Sequence, residues 1–285
     1  MDTLQTPLVS IILSYYNEVR FIAEAVGSAK SQTHENIEII VVDDGSAEQA
    51  HQHLLTIPSI KIIRQANGGV SSARNRGLAE SRGDYIVFLD HDDRLMPNAI
   101  ASHLAALKKN PDAGLIFAAR RDIDEHGNAT ASPYICVPRR NYFHSFLEAN
   151  PIHCPATAMV SRKALDQVGG FDPSVEPGDD YDLYIRLARN FPVLRHTALV
   201  AEYRIHGSSV SQDGEKMYAS NERVLNKVKA TMTLTPKEQK LLSAGYGRAS
   251  AYFLGGEGWR YKARLLYYRL RSLSQTSFLE ILRGN

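Results

Sequence analysis

The sequence is poor in cysteine, with only Cys136 and Cys154 among 285 residues. Two cysteines so far apart make neither a disulfide framework nor a close-spaced metal site, so a reduced, cytoplasmic protein is expected. Long apolar runs are missing as well. No stretch of about 18 apolar residues occurs, which argues against a membrane-spanning helix. Leu8–Leu13 is interrupted by Ser10 and has no Lys or Arg before it, so no secretory leader is expected. Charge of one sign is also scarce: 33 Lys and Arg stand against 31 Asp and Glu, a formal net charge of +2. Wholesale nucleic-acid binding usually needs a strongly basic face and is not signalled. Finally, no Gly-x-Gly-x-x-Gly and no P-loop is present, so any phosphate is held by something other than a glycine-rich cradle.

What is present is an ordinary globular composition, 44% hydrophobic and 22% charged. A chain of this length buries roughly 75% of its unfolded surface. Short apolar runs alternate with helical spacing through the first half. Leu8–Leu13, Ile37–Val42, Ile60–Arg64 and Asp84–Leu89 read as strands. Ile22 to Ala29, Ala47–Leu55, Gly69–Ser81 and Pro97–Asn110 read as helices. Strands that are apolar throughout, interleaved with helices, predict an α/β fold with a mostly parallel sheet flanked by helices. The middle of the chain, rich in proline, reads as loops around helices at Arg162–Val168 and Asp180–Asn190 and a strand at Leu199–Ile205. From Glu215 onward the pattern is helical. The expected division is a catalytic domain over residues 1–212 and a helical extension over 213–285.

In an open parallel sheet, ligands sit beyond the carboxyl ends of the strands. The segments found there are Ser14-Tyr15-Tyr16-Asn17, Asp43-Asp44-Gly45-Ser46 and Asp90-His91-Asp92-Asp93. If the last stays extended, Asp90 and Asp92 face one point and offer two oxygens to a hard divalent cation, which often takes only one or two protein ligands. A carboxylate after the second strand can accept the N3–H of a uracil ring. Asp179-Asp180 opens a helix, and one positioned carboxylate suffices to take a proton from a sugar hydroxyl. Each cluster has a plainer reading as turn and cap residues, or as acids complementing a helix dipole.

Taken together and in order, these segments resemble glycosyltransferase family 2, the inverting enzymes of the GT-A fold. The resemblance runs through Val9–Ile12 with Tyr16-Asn17, Val41–Ser46, Asn67–Gly77 and Gly83–Asp93. It continues through Val168–Asp172, Gly178–Leu183 and Tyr203–His206, and so covers about residues 8–210. It implies a nucleotide-sugar donor, with UDP favoured by the uracil reading of Asp44. It also implies Mn²⁺ or Mg²⁺ as cofactor and a glycan or lipid-linked sugar as acceptor, in bacterial surface polysaccharide or glycoconjugate synthesis. Ser14, Tyr16, Asn17, Asp43, Asp44, Arg74 and Asp90 are the implied nucleotide contacts. Tyr16 is implied to stack on the base, and Arg74 to reach the nucleotide. Asp92, Asp90 and His206 are the implied metal ligands, and Asp180 the implied catalytic base. Asp179, where the family usually has Glu, and His153 are candidate acceptor contacts.

Two other functions stay open on the residues alone: a sugar-nucleotide nucleotidyltransferase and a non-catalytic nucleotide-sugar-binding module. The first usually brings a glycine- and arginine-rich loop, which Ser14–Arg20 does not supply. The segment Trp259–Leu273, with five cations and no acids, would suit an anionic membrane surface or a helix packed on the protein. Peripheral contact with the inner face of a membrane is therefore weighed beside a freely cytoplasmic location.

Overall fold

The computed structural model describes residues 6–137, 141–207 and 209–253. The chain forms two compact units: Met1–Pro133 with Cys154–His206, and Tyr134–His153 with Gly207–Asn285.

The first unit alternates strands and helices as the periodicity predicts. In order they are β1 (Val9–Tyr15), α1 (Ile22–Lys30), β2 (Ile37–Asp43), α2 (Glu48–Leu55), β3 (Lys61–Arg64), α3 (Val70–Glu80) and β4 (Tyr85–Asp90). The two-residue β5 (Arg94–Leu95), α4 (Ala99–Leu107) and β6 (Leu115–Ile123) follow. The helix α5 (Tyr142–Glu148) belongs to the second unit. The first unit then closes with β7 (Ala158–Ser161), α6 (Arg162–Val168), α7 (Asp179–Asn190) and β8 (Val193–Arg204).

The eight strands form one sheet in the order β3-β2-β1-β4-β7-β6-β8-β5. β3, β2, β1 and β4 run parallel; β7 lies antiparallel to both β4 and β6, β8 runs parallel to β6, and β5 antiparallel to β8. The sheet is thus mixed, with its purely parallel part confined to the N-terminal half. β1 sits inside that part and is buried along its whole length. Ile11, Leu13, Val41 and Leu89 join Ile22, Ala25, Val26 and Ala29 of α1 in the main core. Each large aliphatic side chain buried there stabilises the fold by roughly 1.5–3 kcal/mol. On the other face Gly77 of α3 lies against Ile12 and Val42: an added Cβ would come within 2.3 Å of Ile12. That close approach sets α3 directly over the ends of β1 and β2.

The second unit is helical: α5, α8 (Gly214–Thr231) and α9 (Pro236–Phe253). α9 begins with a capping box. Thr235 N–H donates to Glu238 Oε2 at 2.8 Å, and Glu238 N–H donates back to Thr235 Oγ1 at 3.3 Å. Gly245 lets α9 approach α5, since a Cβ there would sit 2.4 Å from the Leu147 carbonyl. Ser220, Val224, Leu225 and Val228 form the buried stripe of α8. No helix among the described residues is long and apolar enough to cross a membrane. Trp259–Leu273 lies outside the described residues.

Candidate active site

The carboxyl ends of β1, β2 and β4 meet in one place, as register requires: Ser14 pairs with Val42 on one side and Asp90 on the other. The loop after β1 is tied to the loop after β2. Asn17 N–H donates to Ser46 Oγ at 2.9 Å, and Ala47 N–H donates to Asn17 Oδ1 at 2.7 Å. Asn17 takes a positive φ of 57° there, a conformation asparagine tolerates better than most residues. This arrangement leaves Tyr16 50% exposed, the one large flat side chain presented by that loop. Tyr15 beside it is buried, and its phenol is pushed up to about 12 by burial and by Asp43.

The two acids after β2 have different fates. Asp43 is fully buried. Its Oδ1 accepts the Ser46 N–H at 2.9 Å, while Oδ2 lies 2.5 Å from His51 Nδ1 and 3.6 Å from Arg64 Nε. It therefore holds the turn, with both carboxylate oxygens engaged within the chain. Asp44 grips the segment leading into α3. Its Oδ1 accepts from Gln65 Nε2 at 2.8 Å and from Gly68 N–H at 2.9 Å, and its Oδ2 from Gly69 N–H at 2.8 Å. A carboxylate has about four lone-pair sites, so one is left on Oδ2 for a further N–H.

The acidic segment after β4 does not stay extended. Asp93 N–H closes on the Asp90 carbonyl at 3.1 Å and makes Asp90–Asp93 a turn. The expectation that Asp90 and Asp92 share a face of a strand is corrected accordingly, and the two carboxylates take different partners. Asp90 Oδ1 accepts from Arg74 at 2.6 Å. Asp92 Oδ2 lies 2.9 Å from His206 Nε2. Asp93 is buried, and burial with Asp92 and Asp90 nearby raises its carboxyl well above the usual range. It accepts the Arg204 N–H at 2.9 Å and lies 3.3 Å from Cys154 Sγ.

Arg74, only 6% exposed, joins this turn to α7. Its guanidinium donates to Asp90 on one side and to Asp179 Oδ2 at 3.0 Å on the other, and packs over the Phe171 ring at 5.3 Å. Arg74 is thus spent on two carboxylates, and the two acids hold its charge firmly in place. Asp179 is 1% exposed and held in that bridge. Asp180 is partly exposed and, among the described residues, accepts only the Tyr181 N–H, at 2.7 Å. Burial first, then the charge of Asp179, pushes its carboxyl from 3.8 up to about 7. A carboxylate so placed accepts a proton at neutral pH far more readily than an ordinary aspartate.

The sequence profile of Glycosyl transferase family 2 matches residues 10–169. The chain belongs to this family. It is 30% identical to the chondroitin synthase of Escherichia coli over 73% of its own length and 30% of that protein. The chain spans 30–37% of the length of the first curated relatives it matches. Its fold is shared with Staphylococcus aureus TarS in complex with UDP-GlcNAc: TM-score 0.66 at 16% identity, over 86% of this chain and 73% of that one. It is shared also with the mannosyltransferase PcManGT of Pyrobaculum calidifontis, in complex with GDP-Man and Mn²⁺: TM-score 0.62 at 19% identity, over 99% and 80%. The mixed sheet flanked by helices is the GT-A fold of glycosyltransferases.

In this family member the first unit brings Ser14, Tyr16, Asn17, Asp44, Asp90, Asp92, His206 and Asp180 to the same end of the sheet. His153 belongs to the second unit. Asp92 offers an oxygen and His206, 2.9 Å away on a separate loop, a ring nitrogen, which a divalent cation could share; among the described residues no group of three or more His, Cys, Asp or Glu is placed to hold a metal ion. A cation bound there would complete its shell with diphosphate oxygens and water.

Residue-by-residue reading missed Arg204. It is 1% exposed, stacks 4.4 Å from the Phe21 ring, donates to the Asp92 carbonyl at 2.8 Å and pairs with Glu24 at 2.7 Å. The signal that could have found it is an arginine two residues after Glu202 in a strand, Leu199–Ile205, that is otherwise apolar or aromatic, just before His206.

Proposed function

We propose that the chain transfers a sugar from a UDP-sugar to an acceptor hydroxyl, with inversion at the anomeric carbon and Asp180 as the base. The observation that carries this reading is the Arg74 bridge. Through it, Asp90 at the end of β4 and Asp179 at the start of α7 are held on one guanidinium. The metal-binding turn and the residue next to Asp179 are thereby kept within one small region.

In this reading Tyr16 stacks on the uracil, and the remaining lone pair of Asp44 accepts its N3–H. Asp180 takes the proton of the acceptor hydroxyl as its oxygen bonds to the anomeric carbon. The bond from that carbon to the diphosphate breaks on the opposite face, and UDP leaves. Asp92 and His206 would hold the divalent cation, which when bound neutralises charge on the departing diphosphate. The positioning of the two substrates accounts for much of the remaining rate. The UDP-GlcNAc complex of TarS supports the nucleotide, the Mn²⁺ of PcManGT supports the cation, and the chondroitin synthase relative supports a glycan acceptor. Membership of the glycosyltransferase family sets aside the nucleotidyltransferase alternative.

The test is UDP release from UDP-glucose, UDP-galactose, UDP-GlcNAc and UDP-glucuronate with Mn²⁺, in the presence of oligosaccharide acceptors. Asp180→Asn is expected to lower turnover by about 10²-fold or more while still binding UDP with Mn²⁺. Turnover close to wild type removes Asp180 from the role. Binding of UDP-sugars with no turnover in the unmutated chain would identify a non-catalytic module. Asp92→Ala is expected to abolish the Mn²⁺ dependence of UDP binding; an unchanged dependence moves the cation elsewhere.

A further inference from the structure

The loop that leads to Asp180 is tied to α3 at three points. At residue 171, Asn75 forms a reciprocal pair with the backbone: Phe171 N–H donates to Asn75 Oδ1 and Asn75 Nδ2 donates to the Phe171 carbonyl, both at 2.8 Å. At residue 179, Arg74 holds Asp179. Between them, at residue 176, a carboxylate sits on the start of the helix. Glu176 Oε1 accepts from Val70 N–H and Oε2 from Ser71 N–H, each at 3.2 Å.

The first amides of a helix lack intrahelical partners and carry the positive end of its dipole, so a carboxylate is favoured there. The approach is close. Gly69 has φ +88°, and a Cβ on it would lie 2.9–3.0 Å from the Glu176 oxygens. The two preceding amides, Gly68 and Gly69, are those that Asp44 accepts. Four consecutive amides therefore divide between two carboxylates, one from the nucleotide side and one from the loop that leads to Asp180.

We infer that Glu176 is a positioning residue: it docks the 171–180 loop onto the first turn of α3 and so fixes Asp180 relative to the nucleotide held by Asp44. The inference rests on the reading of Asp180 as the base. Glu176 itself does not meet the nucleotide or the proton. Its loss leaves the nucleotide contacts in place and loosens the loop between its ties to Asn75 at 171 and Arg74 at 179. A misplacement of about 1 Å at a reacting group costs about 10²-fold in rate.

The experiment compares Glu176→Ala, Glu176→Gln and Asp180→Asn in the full chain. It measures UDP affinity by calorimetry with Mn²⁺, and UDP release from the best of the four UDP-sugars above. Glu176→Ala is expected to lower kcat by about 10- to 100-fold with the UDP dissociation constant within about threefold of wild type. Glu176→Gln keeps one oxygen to accept an amide but turns its NH₂ toward the other, so its kcat falls between the two. Wild-type turnover in both Glu176 variants overturns the inference, and so does a parallel loss of turnover and UDP affinity. If Glu176→Ala does not fold, the isosteric Glu176→Gln carries the same test. Wild-type turnover in Asp180→Asn overturns the base assignment and this inference with it. An inactive Asp180→Asn beside fully active Glu176 variants overturns this inference alone.

Discussion

Two acidic doublets, Asp43-Asp44 at the end of β2 and Asp179-Asp180 at the start of α7, look alike in the sequence. In each, the first acid is buried and committed to the scaffold: Asp43 to His51 and the Ser46 amide, Asp179 to Arg74. The second acid differs between them. Asp44 is wrapped by three N–H donors, two of them backbone amides. Asp180 has a single amide and sits beside another carboxylate, so its proton affinity rises. A carboxylate surrounded by amides is a rigid acceptor. A partly buried carboxylate next to a like charge is a base waiting for a proton. The same dipeptide is thus proposed to supply a nucleotide grip in one place and a proton acceptor in the other.

The comparison breaks most visibly at Arg74. Arg74→Ala leaves Asp179 buried without its cation, so unfolding in urea is expected to show a loss of about 3–5 kcal/mol. A midpoint unchanged from wild type would mean that the bridge does not organise the site. Next in size is Asp44→Ala, which strands the Gly68 and Gly69 amides and removes the base contact. The expected cost is about 1–3 kcal/mol in stability, with UDP binding weaker by about tenfold. Calorimetry with UDP and Mn²⁺ checks the second figure; undiminished affinity would leave Asp44 a purely structural residue.

Asp180→Asn sharpens the contrast because its effect on stability has the opposite sign. The carboxyl of Asp180 is raised from 3.8 to about 7 in the folded chain. The folded state therefore holds a proton that the unfolded state has released, and stability falls as pH rises from about 4 through about 7. The amide carries no such loss. At pH 8 the variant is expected to be more stable than wild type, by a margin that closes toward pH 4. Thermal melts at both pH values check this, and a variant destabilised at pH 8 contradicts it.

Much of the first half of the fold is legible because β1, β2 and β4 are dominated by apolar residues, broken only by single polar ones such as Ser10 and Glu38, and the helices between them repeat at helical spacing. β6 is not, since Arg120, Arg121 and Asp122 interrupt its apolar run. Those charges pair within the sheet, Arg121 with Glu202 of β8 and Arg120 with Asp122. The reversal of β7 leaves no periodic trace in four residues. At the site, the positions of the acids follow from the strand ends, but their partners do not. The Arg74–Asp179 pair spans 105 residues, and nothing local shows that Asp179 is spent while Asp180 is not. The turn at Asp90–Asp93 likewise depends on Arg204, over a hundred residues away, which holds the Asp92 carbonyl and donates its own N–H to Asp93.

The most direct measurement is the pH dependence of kcat/KM for UDP release from the best UDP-sugar, at saturating Mn²⁺ and between pH 5 and 9. If Asp180 must be ionised to receive the acceptor proton, the rate rises about tenfold per pH unit below an apparent pKa near 7 and levels off above it. A profile flat from pH 5 to 8 would show that the base is already ionised, or is another group, and would contradict the assignment.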